Sequence, residues 1–155
     1  MTQTLQDDVR KILDRQGTTD PSFTSIACRL LEFFDAKIGV VYTLDAGTGM
    51  LKLRCLCGVP KETAEKLRFL YMGKDLPGQV AAKRKAMQGS QSDPGLKSSS
   101  SEFEIFNTGT LFVPMLHENI LYGVLGIGKG FIHEYVPDEI ASLASIGHLI
   151  AAYLK

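Results

Sequence analysis

Cys55-Leu56-Cys57 is the closest grouping of reactive side chains along the chain. On a strand, residues two apart face the same way with Cα atoms roughly 6 to 7 Å apart, at or beyond the reach of a disulfide. No histidine lies close in sequence to complete a zinc site, so the pair reads as buried thiols acting as small hydrophobes. Cys28 is the third cysteine, and an odd number without an export signal argues for reduced thiols rather than a disulfide framework. His117, His133 and His148 are scattered without metal-ligand spacing. Gly126 to Gly130, GIGKG, shares only its glycines with a phosphate loop: the strand, loop, helix context and the Gly-Lys-Ser/Thr ending are missing. No Ser/His/Asp arrangement can be argued from the residue order, and Lys83-Arg84-Lys85 is too short to be more than a solvated face. These residues point to no catalytic group and no metal site.

The elements that would position any site have to fit in 155 residues, the size of one domain spanning 1–155, and a 45% hydrophobic content is enough for a real core. Lysine plus arginine equals aspartate plus glutamate at 17 each, so no net field draws the chain to nucleic acid or to an anionic membrane. Small neutral or weakly charged partners remain open. The start, MTQTLQDDVRKIL, is polar and acidic where a secretory signal is basic and then apolar, and no apolar run approaches the ~18 residues of a membrane span. The expectation is a soluble, cytoplasmic protein.

Leu5, Val9, Ile12 and Leu13 give one apolar stripe, which predicts a helix over Thr4 to Gln16 that ends at Gly17. Asp20 is placed to cap a second helix with Pro21 at its first position, and Phe23, Ile26, Ala27, Leu30, Phe33 and Phe34 form its wide apolar face. From Ile38 the period changes to two. IGVVYTLD and MLKLRCLC read as strands around the turn DAGTG, with Lys52 and Arg54 on one face and Leu51, Leu53, Cys55 and Cys57 on the other. Beyond Pro60 the pattern weakens: PKETAEKLRFL and PGQVAAKRK suit short helices, AMQGS a brief strand, and GSQSDPGLKSSSSEF a long loop. A final helix starts near Pro137, with Asp138 and Glu139 in its positive first turn, and is apolar over enough of its circumference to pack on two sides. One side is the sheet, and the other is either the first helices or a second copy of the chain.

Between them lies a hairpin, Gly109 to Gly130, whose two faces are both apolar. A two-residue turn at Glu118 and Asn119 needs positive φ at both, which suits asparagine and not glutamate; a three-residue turn, His117 to Asn119, is better chemistry. That register puts Leu111, Val113, Met115, Leu121, Leu125 and Ile127 on one aliphatic face, toward the terminal helices. Thr110, Phe112, Pro114, Leu116, Tyr122, Val124, Gly126 and Gly128 share the other, where the glycines leave space above the sheet. Either a ligand enters that space or the helix near Pro60 to Leu70 and the loop beyond fill it. Pro114 removes a strand donor, which a bulge or a locally unpaired edge would accommodate.

The strand IGVVYTLD, the segment GKDLPGQVAAKRKAMQGSQSD, the strand TLFVPML, and YGVLGIG ahead of a terminal helix together resemble a GAF domain from about Asp20 onward. The resemblance implies an α+β fold: a six-stranded antiparallel sheet with terminal helices on one face and a small-ligand pocket on the other, beneath the irregular middle segment. The pocket positions it implies are Tyr42, Asp75, Asp93, Phe112, Tyr122, Gly126 and Gly128. As plain structure, the tyrosines would be core rings with satisfied hydroxyls, and the aspartates would cap turns. The function implied is a small-molecule-sensing or dimerising regulatory module of a signal-transduction system, without catalysis of its own. Its partners would be an unidentified small ligand, a second copy bound through the terminal helices, including the helix within 1–19, and a signalling protein. Ligand would order the 89–108 segment and shift the terminal helices; the cofactor, if there is one, stays unknown, as does whether the chain stands alone or within a longer signalling protein. The asparagine, lysine and phenylalanine signature of cyclic-nucleotide relatives has no counterpart, and the middle segment has no cysteine to attach a bilin. The alternatives are an enzyme resembling free methionine sulfoxide reductases, although Gly58 to Lys155 carries no cysteine, and a ligand-free structural dimerisation domain.

Overall fold

In the computed structural model, residues 2–91 and 101–155 are described. Helices α1 (Thr2–Gln16) and α2 (Asp20–Phe34) precede the hairpin β1 (Ile38–Asp45) and β2 (Met50–Cys57). Then come α3 (Lys61–Lys66), β3 (Phe69–Tyr71), α4 (Asp75–Lys83), β4 (Met87–Gln88) and a 3-10 turn over Ser101–Asn107. The hairpin β5 (Thr110–His117) and β6 (Ile120–Gly128) leads to α5 (Pro137–Leu154). The strands form one six-stranded sheet in the order β3-β2-β1-β6-β5-β4, every pair antiparallel. The architecture is the α+β arrangement expected.

Several local details differ from the sequence reading, each for a physical reason. Thr19, not Asp20, caps α2: its hydroxyl accepts from the Ser22 N–H while the Ser22 hydroxyl accepts from the Thr19 N–H. Asp20 instead sits in the first turn and pairs with Arg54 at 2.5 Å. Phe69 and Leu70, read from sequence as the end of a helix, belong instead to a short strand, Phe69–Tyr71, on the edge of β2, and α4 begins at Asp75, ahead of Pro77.

The β5–β6 turn is the two-residue form, with Glu118 at φ 51° and Asn119 at φ 65°, and His117 paired with Ile120. Arg84 donates to the Asn119 carbonyl and ties this strained turn to the end of α4. A two-residue turn would leave the rest of β6 out of phase, and an extra residue at Tyr122, where the pairing slips between Met115 and Leu116, restores it. Residues from Val124 onward therefore face as expected, but Leu121 and Tyr122 exchange sides: Leu121 leaves the helix side and Tyr122 joins it.

A second bulge divides β2. The register shifts opposite Val41 and Tyr42, with Cys55 opposite Val41 and Leu53 opposite Tyr42, so Arg54 is the extra residue. Leu51 and Leu53 consequently face away from the helices while Cys55 and Cys57 face them, instead of all four sharing one side. The bulge frees the Arg54 guanidinium to lie over the Phe23 ring, 5.1 Å from its centroid, and to meet Asp20. Pro114 is accommodated at an edge, because β4 pairs only with Leu111 and Phe112 and ends before it.

Two cores result. On the helix side, Val41, Leu111, Val113, Leu125 and Ile127 pack against buried residues of α1, α2 and α5. The second flank of α5 is taken by α1, whose Leu5, Val9 and Leu13 join Leu143, Ile146 and Ile150 in that core. Lys129, with only 9% of its surface exposed, ends α2: its ammonium donates to the carbonyls of Phe34 and Asp35, where the helix dipole is negative.

Candidate functional site

The opposite core holds most of the positions singled out from the sequence. Val40, Tyr42, Leu51, Phe112 and Val124 rise from the sheet toward Leu67 and Leu70, α4, and the Ser101–Asn107 turn. Asp93 lies outside the described residues.

Tyr42 is fully buried, and its hydroxyl donates to the Leu67 carbonyl at 2.6 Å, fastening the end of α3 to the middle of β1. Burial, and secondarily the charge of Asp75, push its ionisation above the usual 10. Asp75 is 5% exposed and opens α4 at φ 54°, a left-handed conformation that costs energy for an aspartate. One turn on, Gln79 is 2% exposed, so α4 delivers two polar side chains into an otherwise apolar core. The helix start is clasped by backbone: Gly73 N–H donates to the Gly78 carbonyl at 2.7 Å, and a Cβ at Gly78 would stand 2.6 Å from the Tyr71 carbonyl oxygen.

The space above the glycines of β6 contains protein. The Phe112 ring lies over Gly126, where an added Cβ would meet it at 2.3 Å, and Thr110 and Ile38 crowd Gly128 at 3.1 and 3.4 Å. Phe112 in turn meets Phe106 edge to face at 5.1 Å, and Phe106 lies 6.1 Å from Phe103, so the Ser101–Asn107 turn closes this face with aromatic rings. The Thr110 hydroxyl donates to the Phe106 carbonyl and holds the turn down. Tyr122 is not with this group: the β6 bulge turns it to the helix side, where it is half-buried.

Sequence reasoning missed Gln79 and the two phenylalanines of the turn, because they lie in the stretch where periodicity fails. It also missed the clip formed by Gln88 and Tyr135. Gln88 donates to the Tyr135 carbonyl at 3.2 Å and accepts from its N–H at 2.7 Å, while the Tyr135 hydroxyl donates to the Gly109 carbonyl at 2.8 Å. A cleft of 590 Å³ lies elsewhere, between the end of α2 and the start of α5, lined by Phe34, Asp35, Asp138, Glu139 and Ser142. The histidines stay apart: His133 meets Glu139 at 3.2 Å, His148 the Leu116 carbonyl at 2.8 Å, and His117 Glu118 at 3.5 Å. Among the described residues no group of three histidine, cysteine or acidic side chains is arranged to hold a metal ion, and no helix is long and apolar enough to cross a membrane.

A twisted antiparallel sheet with helices on one face and a buried polar pair under short helices on the other defines the class of protein. The chain belongs to the GAF domain family, whose model matches residues 21–155. No curated protein sequence matches it. Among solved structures it is similar to the GAF domain from a phosphoenolpyruvate-protein phosphotransferase of Coxiella burnetii, with TM-score 0.82 and 19% identity over 99% of this chain and 92% of that one. A free methionine-R-sulfoxide reductase from Neisseria meningitidis in complex with its substrate is similar at TM-score 0.76 and 15% identity, covering 99% of this chain and 87% of that one. The nlh2 GAF domain of A. aeolicus in an inactive state is similar at TM-score 0.72 and 12% identity, covering 99% and 94%. At these identities the likeness is one of fold. Regulatory proteins and enzymes share it.

Proposed function

We propose that this GAF domain, taken as one unit over 1–155, is a non-catalytic regulatory module that senses a small molecule offering hydrogen-bond donors. The observation that carries the reading is Asp75, a buried acidic residue held at φ 54° and near enough to Tyr42 for its charge to act on that hydroxyl, in a core that is mainly aliphatic and aromatic. Such a conformation and such burial both cost free energy, and costs of this kind persist where a site uses them. Gln79 supplies a second polar group from the same helix face. Entry of a ligand requires the Ser101–Asn107 turn, with Phe103 and Phe106, to lift from Phe112. A ligand that binds the lifted form better shifts the population toward it, and α4 transmits the change through Arg84 to the β5–β6 turn.

The thiol-enzyme reading is disfavoured by position, since Cys55 and Cys57 face the helices and not Asp75. A ligand-free structural role is favoured by one observation, the Phe112 ring over Gly126. Dimerisation through the terminal helices belongs to the proposal but has less room, because α1 already covers one flank of α5. Native mass spectrometry of the purified chain before and after denaturation tests the reading. A retained small molecule that is lost on Asp75→Asn, with folding intact by circular dichroism, is the expected result. An empty chain, together with the absence of thermal stabilisation across an amine and amide metabolite panel, would leave only the structural role; the same spectrum reports the oligomeric state.

A further inference from the structure

All three cysteines of the chain meet at one place, on the helix side of the sheet and away from the polar pair of Asp75 and Tyr42. Cys28 comes from the exposed side of α2, while Cys55 and Cys57 come from β2 beyond its bulge. The Cys55 and Cys57 sulfurs are 3.6 Å apart, and Cys28 lies near enough to Cys57, across the seam between α2 and the sheet, that burial and then Cys57 push the Cys28 thiol up. The seam is narrow here. Gly39 stands directly across from Cys57 on β1, and a Cβ at Gly39 would meet the Cβ of Ala27, the neighbour of Cys28, at 3.1 Å. The Arg54 bulge and the glycine at 39 thus bring together residues far apart in sequence.

We propose that Cys28 and Cys57 form a reversible disulfide, closed by hydrogen peroxide, that latches α2 to β2. The pairing is chosen by geometry. Cys55 and Cys57 lie two apart on one strand, a separation at the limit of what a disulfide spans without moving backbone, whereas Cys28 is an exposed side chain on a separate element and can turn toward Cys57. The Cys28 sulfur attacks one peroxide oxygen; the S–O bond forms, the O–O bond breaks, and the leaving hydroxide departs as water with the Cys28 proton, giving a sulfenic acid. The Cys57 sulfur then attacks the Cys28 sulfur; the S–S bond forms, the S–O bond breaks, and the hydroxyl leaves as a second water with the Cys57 proton. Two thiols are oxidised and one peroxide is reduced to two waters. Cys55 is a positioning residue, touching Cys57 where that proton must depart. The hydrogen bond from Cys57 lowers the Cys55 thiol, while that same contact and burial push the Cys57 thiol up; burial raises Cys28 as well, so its exposure to peroxide and not its acidity selects it as the attacking sulfur.

The test treats the reduced full chain with hydrogen peroxide, blocks remaining thiols with iodoacetamide, and maps tryptic peptides by mass spectrometry. Cleavage at Arg15, Arg29, Arg54 and Lys61 places Cys28 on one peptide and both other cysteines on a second. The expected product links the two peptides with the loss of two hydrogens, carries one alkylated thiol assigned by fragmentation to Cys55, and reverts with dithiothreitol. Cys28→Ser and Cys57→Ser each abolish the link, and Cys55→Ser slows it without removing it. Circular dichroism melts confirm that each variant is folded, and Cys28→Ser, at an exposed position, carries the conclusion if Cys57→Ser unfolds. A link involving Cys55, oxidation to sulfinic or sulfonic acid without a link, or three unreacted thiols overturns the proposal.

Discussion

The two cores of this domain are separated by one sheet and built on different terms. The helix-side core is mainly aliphatic, with Phe23, Phe34 and Tyr135 among it, continuous, and closed by three helices whose buried faces follow helical spacing. The opposite core mixes aromatic rings, a buried carboxylate and an amide, and its cover is a short helix and a 3-10 turn. The difference teaches where stability and where change reside. Regular packing of long helices, with polar groups only at their ends, gives one deep minimum, whereas a cover of short elements with polar groups beneath it can exchange one arrangement for another.

The largest effect should come from the helix side. Leu125→Ala, at a position with no exposed surface, removes buried aliphatic volume that long helices cannot collapse to fill, and should cost about 3 kcal/mol in urea denaturation. A loss under about 1 kcal/mol would mean that this core is no more rigid than the other. Next in size is Gly126→Ala, which puts a Cβ against the Phe112 ring and should cost about 2 kcal/mol by overpacking. The double variant with Phe112→Leu separates the two uses of that glycine. Recovery of most of the loss means that the space exists for the ring, while additive losses mean that something else requires it.

Tyr42→Phe should be the mildest, about 1 kcal/mol at neutral pH for the bond to the Leu67 carbonyl. Its pH dependence has a definite sign. The folded-state ionisation of Tyr42 lies above the unfolded value of 10, so the unfolded chain loses the proton first and the folded chain binds more protons. The Tyr42 contribution is therefore fully present below about pH 10 and is lost as the pH climbs beyond it. Chemical denaturation at pH 8 and pH 11 should show the variant closing its gap with the parent at the higher pH. An unchanged gap would indicate a solvated hydroxyl and a looser polar-side core.

How much of this was legible beforehand can be seen in β6. Alternation along TLFVPML and YGVLGIG places Val113, Leu125 and Ile127 on the helix side and Phe112, Val124 and Gly126 opposite, as observed. The same alternation misplaces Leu121 and Tyr122, since a bulge leaves no mark on composition: Glu118 takes positive φ in a two-residue turn that Arg84 binds at Asn119, and the slip at Tyr122 restores the register beyond it. Likewise Leu53 and Cys55 read as one face until the Arg54 bulge separates them. At the polar pair, Tyr42 and Asp75 are visible as residue types, but Gln79, Phe103 and Phe106 are not, because short elements carry too few turns to show a period.

By itself, the sequence determined the helices with long apolar stripes, the strands with clean alternation, the balance of charge and the order of elements that marks the family. Local propensity and periodicity act over a few residues, and these features are written at that range. Only the tertiary structure decided which residues bulge, that Phe112 occupies the space over Gly126, that Asp75 lies buried at positive φ near Tyr42, and that Cys28 and Cys57 come near each other across a seam narrowed by Gly39. Each of these depends on how closely two elements approach, a distance set by the packing of whole faces against one another, which no short stretch of chain specifies alone.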